Sequence, residues 1–170
     1  MRDEIQLRGL RRNDTASLVE FMSGNNFIRG LTVLPYISEY DVQRLVEPSD
    51  TRHWIIAALN DQAIGYVYLE WGKGRWRNIA TLAIGVADQH VGKGAGRKLL
   101  DAALWLGFRY LDLHRIELVV YADNEPAIHL YDSAGFVREG MKRRNAFRDG
   151  HHPDALVMSI LQSDYENSRR

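Results

Sequence analysis

The run Val86-Ala-Asp-Gln-His-Val-Gly92-Lys-Gly94-Ala-Gly96-Arg-Lys-Leu-Leu100 decides how this chain folds. An apolar, β-rich run over residues 79–86 enters it, and an apolar-periodic run over 99–108 leaves it. The pattern predicts a strand, a tight turn and a helix from about Gly94 to Arg109. The first turn of a helix leaves backbone N–H groups without acceptors, and the helix dipole adds partial positive charge there. Glycines at 92, 94 and 96 remove the Cβ atoms that would hold an anion away, and they tolerate positive φ. The stretch therefore reads as a phosphate cradle. Lys93, Arg97 and Lys98 supply cations beside it; for Arg97 and Lys98 plain solvation is the alternative.

Working outward, residues 5–10 alternate and predict a first strand, and Asn13 or Asp14 predicts the cap of a helix over 16–22. Gly24-Asn-Asn26 and Gly30 predict an irregular stretch, extended over 31–36 before and around Pro35. Ser38 with Asp41 forms a capping-box pattern for a helix through Val46. Residues 53–59 and 63–71 predict strands joined by an Asn60-Asp61 turn, and a third strand follows over about 77–86. After the long helix, 115–121 alternates with Ile116, Leu118 and Val120 on one face. Asn124 with Pro126 opens a helix that Gly135 ends. Phe136 begins the closing strand material, 155–161 is the last strand, and 163–170 reads as a loose tail. No repeat or linker interrupts this order, so residues 1–170 are expected to form a single α+β domain around one mixed sheet.

Composition narrows the function. Lysine plus arginine equals aspartate plus glutamate at 22 each, so the formal net charge is zero, which argues against a nucleic-acid partner. The absence of cysteine excludes disulfides, a thiolate nucleophile and zinc–thiolate sites. No run has the apolar core of a signal peptide or reaches membrane-spanning length, so no membrane is expected and the cytoplasm is the default location. Asn13-Asp-Thr15 matches a glycosylation acceptor, but the helix cap is the preferred reading.

Three phosphate-binding patterns compete. A P-loop needs Gly, four residues, then Gly-Lys-Ser/Thr, and here Gly94 follows Gly92-Lys93. A dinucleotide fingerprint needs Gly-x-Gly-x-x-Gly after the first strand, whereas Gly92, Gly94 and Gly96 alternate after several strands. The third pattern fits. Gln89-His-Val-Gly92-Lys-Gly94, entered by a strand and left by a helix, resembles the acetyl-CoA motif of the GNAT superfamily of N-acetyltransferases. Asn124-Glu-Pro-Ala127-Ile-His-Leu-Tyr131-Asp-Ser-Ala-Gly135-Phe136 resembles that family's second signature, at matching order and spacing. The resemblance runs along nearly the whole chain. Within the family, Arg115-Ile-Glu-Leu118, residues 123–128 and 150–158 are most similar to bacterial L-amino-acid N-acetyltransferases acting on phenylalanine and methionine, with residues 31–35 fainter upstream.

The resemblance implies a mostly antiparallel sheet flanked by helices, with central strands splayed so that acetyl-CoA threads the gap. It implies direct acetyl transfer from acetyl-CoA to an amine with no covalent enzyme intermediate. The N–H groups of residues 92–97, including Ala95 and Gly96, would take the pyrophosphate. Ile84, Gly85 and Val86 would run beside the pantetheine, with Gly85 marking a close approach or a bulge. Asn124 would hold the pantetheine or pin the helix start, and Ala127 would leave room. Tyr131, two helical turns after Asn124, is the candidate donor to the departing thiolate; an ordinary core tyrosine is the alternative. A backbone N–H near 83–85 would take the oxyanion. Glu70 is the best-placed carboxylate for a base, with a water relay equally open.

Other residues carry less. Lys142-Arg-Arg144 reads as an exposed turn, with CoA's 3′-phosphate or an acceptor carboxylate as the alternative. His151-His152 lacks a completing ligand set, so no metal is expected. Trp71 and Trp76 suit an acceptor pocket, a dimer contact or edge packing. The sequence thus predicts an acetyl-CoA-dependent N-acetyltransferase for a small-molecule amine acceptor, with an amino acid leading. A protein N-terminus or lysine acceptor and a non-catalytic CoA-binding module are the alternatives. A homodimer is common in the family.

Overall fold

The structure, a computed structural model, describes residues 4–31 and 33–168. In chain order its elements are β1 (Gln6–Gly9), α1 (Thr15–Met22), α2 (Asn25–Gly30), α3 (Glu39–Leu45), β2 (Arg52–Leu59), β3 (Gln62–Trp71), β4 (Ile79–Val86), α4 (Ala95–Arg109), β5 (Arg115–Tyr121), α5 (Glu125–Ser133), β6 (Val137–Lys142), β7 (Ala155–Leu161) and α6 (Gln162–Asn167). The strands form one sheet in the order β1-β2-β3-β4-β5-β7-β6. Pairing is antiparallel for β1–β2, β5–β7 and β6–β7, and parallel for β4–β5. This is the mixed α+β arrangement expected from the sequence. Contacts group the chain into two compact units: one takes in the chain up to Leu69 with Ala83–Ala103, the other Glu70–Leu82 with the chain from Leu104 onward.

In the first unit, α1, α2 and α3 send Leu18, Phe21, Met22, Phe27 and Val42 into one buried cluster with Trp54, Ile56 and Tyr66 of β2 and β3. Its rings meet edge to face, with centroids 5.5 Å apart for Phe21–Phe27, 6.0 Å for Phe27–Tyr66 and 5.0 Å for Trp54–Tyr66. Residues 25–30, expected to be irregular, are helical. Asparagine and glycine are poor helix formers, but the Asp88 carboxylate accepts from the N–H groups of Asn26 and Phe27 at 3.0 and 3.1 Å and so caps α2 from a distant turn. The Ser38–Asp41 capping box forms as expected, with each side chain accepting the other's backbone N–H. Asp14 does not cap α1 through its side chain. Its buried carboxylate instead accepts from both terminal nitrogens of Arg8, at 2.8 and 2.7 Å, and from the Arg11 N–H at 2.7 Å. Burial works to raise the Asp14 pKa, but these bonds outweigh it and hold the carboxyl below its ordinary value. Asn60 and Asp61 both adopt positive φ, 49° and 66°, as a two-residue hairpin turn with the right twist requires.

In the second unit, the parallel pairing of β4 with β5 sets Ile79, Ala80 and Thr81 opposite Arg115, Ile116 and Glu117. β5 pairs along all seven residues with β7. Ile116, Leu118 and Val120 are buried, as their alternation predicts. On the other face Arg115 reaches across β7 to Glu139 of β6, at 2.7 and 2.5 Å, and also donates to Ser159 and Glu117. Residues 163–167, expected as a loose tail, belong to α6, because Tyr165 is buried against Phe108 with ring centroids 5.1 Å apart. Positions 169 and 170 of that tail lie outside the described residues. The third strand begins at Ile79 rather than near Arg77, since residues 74–76 form a 3₁₀ turn. Among the described residues no helix is long and apolar enough to cross a membrane.

Candidate active site

The glycine-rich turn in the first unit has the backbone a phosphate cradle needs. Gly92 and Gly94 take left-handed φ values of 77° and 89°, and nothing lies within 4 Å of where a Cβ would stand at either. The pair bends the chain into the N-terminus of α4 and leaves the space above it open. Gly96 is the second residue of α4 rather than part of the turn. The first backbone bond into the helix runs from the Lys98 N–H to the Gly94 carbonyl at 3.1 Å, so the N–H groups of Ala95 and Gly96 have no acceptor inside the helix. A helix of fifteen residues directs its dipole at the same spot. Gln89 and Lys93 are exposed beside it.

The two cations expected to reinforce the cradle are engaged elsewhere in the structure. Arg97 Nε donates to Asp101 at 3.0 Å, one helical turn along, and Lys98 Nζ donates to the Ile5 carbonyl at 3.3 Å. Both contacts are exposed and weak, so an arriving anion competes for these side chains at small cost. Upstream, Ile84 and Val86 are half-buried and Gly85 is buried. The space a Cβ of Gly85 would take is filled by Phe27, whose Cε2 would lie 2.3 Å away. Core packing against Phe27 therefore requires glycine there.

In the second unit, Asn124 caps α5: its side-chain oxygen accepts the Ala127 N–H at 3.3 Å, and Pro126 occupies the first turn. Ala127 is half-buried. Tyr131, two turns after the cap, is buried and packs on Phe136 with centroids 5.7 Å apart. Burial raises its phenol above the ordinary 10.0, because a phenolate there would lose its hydration. The hydroxyl is therefore a neutral donor across the working pH range. Glu70 stands half-buried near the end of β3 and already takes part in an interaction of its own.

Of the residues set aside in the sequence, Lys142, Arg143 and Arg144 are exposed, and Arg144 turns back at φ 50° so that its N–H bonds Asp154 at 2.7 Å. His151 and His152 are exposed, and no three metal-ligating side chains gather among the described residues. Trp71 is half-buried and Trp76 is 68% exposed. Leu34 and Tyr36, in the segment expected to be extended, are exposed, and residue 32 lies outside the described residues. Sequence reasoning missed Asp88 as the cap of α2, and it missed the pairing of Arg148 with Asp123. Both join residues far apart in the chain, and no local pattern announces them.

Comparison with known proteins agrees with this geometry. Residues 25–136 match the acetyltransferase (GNAT) family. The chain is 32% identical to the spermidine N(1)-acetyltransferase of Vibrio cholerae serotype O1, over 98% of each protein. It is 24% identical to the L-amino acid N-acetyltransferase AaaT of Escherichia coli strain K12, over 94% of this chain and 99% of that protein. Among solved structures, the spermidine N-acetyltransferase from Vibrio cholerae in complex with CoA and spermine superposes with a TM-score of 0.85 at 31% identity, covering 96% of this chain and 98% of that one.

Proposed function

The chain belongs to the GNAT family of acetyltransferases, and from that premise we propose that it moves the acetyl group of acetyl-CoA directly to the primary amine of a small molecule, an amino acid in particular. The observation that carries the reading is the left-handed pair Gly92 and Gly94 opening onto the free end of α4. Backbone N–H groups of residues 92–97 take the pyrophosphate, with Lys93, Arg97 and Lys98 adding charge. Ile84 and Val86 are the proposed pantetheine-binding residues of the first unit, and Asn124 and Ala127 the proposed cofactor-binding residues of the second. Residues 1–170 act as one acetyltransferase domain, in the cytoplasm.

In the reaction the neutral amine nitrogen bonds to the thioester carbon, the C–S bond breaks, the nitrogen gives up a proton, and the departing thiolate takes one up from water. Tyr131 supplies a hydrogen bond to the developing thiolate. A phenol lifted above ~10 is a weaker acid than a thiol of ~8.5, so its contribution is stabilisation of charge rather than complete proton transfer. The amine's proton leaves through Glu70 or a water relay.

The Vibrio cholerae relative supports a second reading, spermidine as acceptor. In the family the region of residues 31–36 commonly borders the acceptor site, and here it favours the amino acid. Its sequence, Leu31-Thr-Val-Leu-Pro-Tyr36, contains no carboxylate. A polyamine brings several cationic charges that need anionic partners, whereas an apolar wall suits the side chain of an apolar amino acid, whose one carboxylate needs a single cation. Thiol release from acetyl-CoA, measured across free amino acids, polyamines and short peptides, tests this. Turnover highest on apolar amino acids supports the proposal, and highest on spermidine replaces it with the second reading.

A further inference from the structure

Arg148 lies in the connection between β6 and β7 with its side chain only 9% exposed. Its guanidinium spans both carboxylate oxygens of Asp123 and sits 4.8 Å over the ring of Tyr121. Asp123 immediately precedes Asn124, the cap of α5. The same connection is tied down by its backbone: Arg148 and His151 exchange N–H bonds at 2.9 and 3.0 Å, and the Asn145 N–H bonds the Pro153 carbonyl at 2.9 Å. The Asp154 side chain accepts from the Arg144 N–H and its carbonyl accepts from the Ala122 N–H. The β6–β7 connection and the turn from β5 into α5 are thus one bonded body, with Arg148 as the side chain that joins them.

We infer that Arg148 is a positioning residue for the transfer reaction: by fixing Asp123 it fixes where α5 begins, and so where the Tyr131 phenol stands two turns later. α5 is nine residues long, too short to absorb a displaced start within its own length. Lysine is no substitute, because the planar fork grips both carboxylate oxygens while its face stacks on the ring. Asp123 is 53% exposed but Arg148 only 9%, so loosening the pair can also cost stability, and the melting temperature is followed beside turnover to separate positioning from folding.

This inference rests on the role proposed for Tyr131, and the test separates the two. Arg148→Lys and Asp123→Asn, measured with the best amine acceptor found, are expected to lower kcat by about tenfold to a hundredfold. The KM for acetyl-CoA stays within about twofold, and the double variant is no worse than the poorer single. In a Tyr131→Phe background Arg148→Lys costs nothing further, because the group it positions is gone. An equal loss in both backgrounds overturns the inference while leaving the enzyme reading intact. A lowered melting temperature with unchanged kcat also overturns it. A wild-type protein that transfers acetyl to no amine removes both.

Discussion

Gly85 lies against the ring of Phe27 so closely that a β-carbon would stand 2.3 Å from Cε2 and 2.7 Å from Cζ. Phe27 is held in turn by Phe21 and Tyr66 in the aromatic cluster, so the ring has no room to retreat. Gly85→Ala is expected to destabilise the fold by about 1–3 kcal/mol through overpacking. Phe27→Leu in the same chain recovers part of that loss. Urea midpoints at constant m-value measure both, and additive losses would show that the two residues are not in contest.

At Gly92 and Gly94 the constraint is conformational rather than steric. Alanine meets no neighbour there but must hold a left-handed backbone, at about 1–2 kcal/mol each. Gly150 has the same character, with φ of 80° and open space above it, and lies outside the cradle. Gly94→Ala and Gly150→Ala therefore cost similar stability, while only Gly94→Ala weakens acetyl-CoA binding in calorimetry. Equal binding by the two variants would remove the cradle from the mechanism.

Much of this was legible because it is written locally. The alternation over 115–121, the Ser38–Asp41 box, the Asn60-Asp61 turn and the Asn124 cap each combine a side-chain preference with a period, and each appears at or within a residue or two of its expected place. The unread parts depend on partners far along the chain. α2 exists because Asp88 caps it across more than sixty positions, and α6 because Tyr165 finds Phe108. The glycine at 85 was legible as a close approach, but what approaches it is a core ring. In the same way the motif around Gly92 predicts a cradle without revealing that Arg97 and Lys98 already hold other partners.

Tyr131→Phe removes one oxygen from a buried ring packed on Phe136, so the fold tolerates it. Turnover is expected to fall about a hundredfold with acetyl-CoA affinity nearly unchanged. Because burial raises the phenol's pKa above 10.0, any basic limb of the wild-type profile below pH 10 belongs to another group and persists in the variant. Loss of that limb together with the hydroxyl would assign it to Tyr131 and contradict the burial argument.

Glu139 gives the fold a defined acid dependence. Bonds from Arg115 and then from Ser159 push its carboxyl from 4.5 down to about 2. The folded state therefore binds fewer protons than the unfolded chain between those values, and by linkage stability falls as pH falls. The contribution is complete above about pH 5 and disappears as pH drops through about 2. Its carboxylate is 38% exposed, so solvent screening keeps the pair near the surface-bridge scale of about 1 kcal/mol or less. Glu139→Gln, which cannot ionise, is then less stable than wild type at neutral pH, and the gap closes on acidification. Paired urea titrations from pH 7 to pH 2.5 read this directly. A gap that stays constant, or widens in acid, would mean that the ion pair with Arg115 does not contribute in the way its geometry indicates.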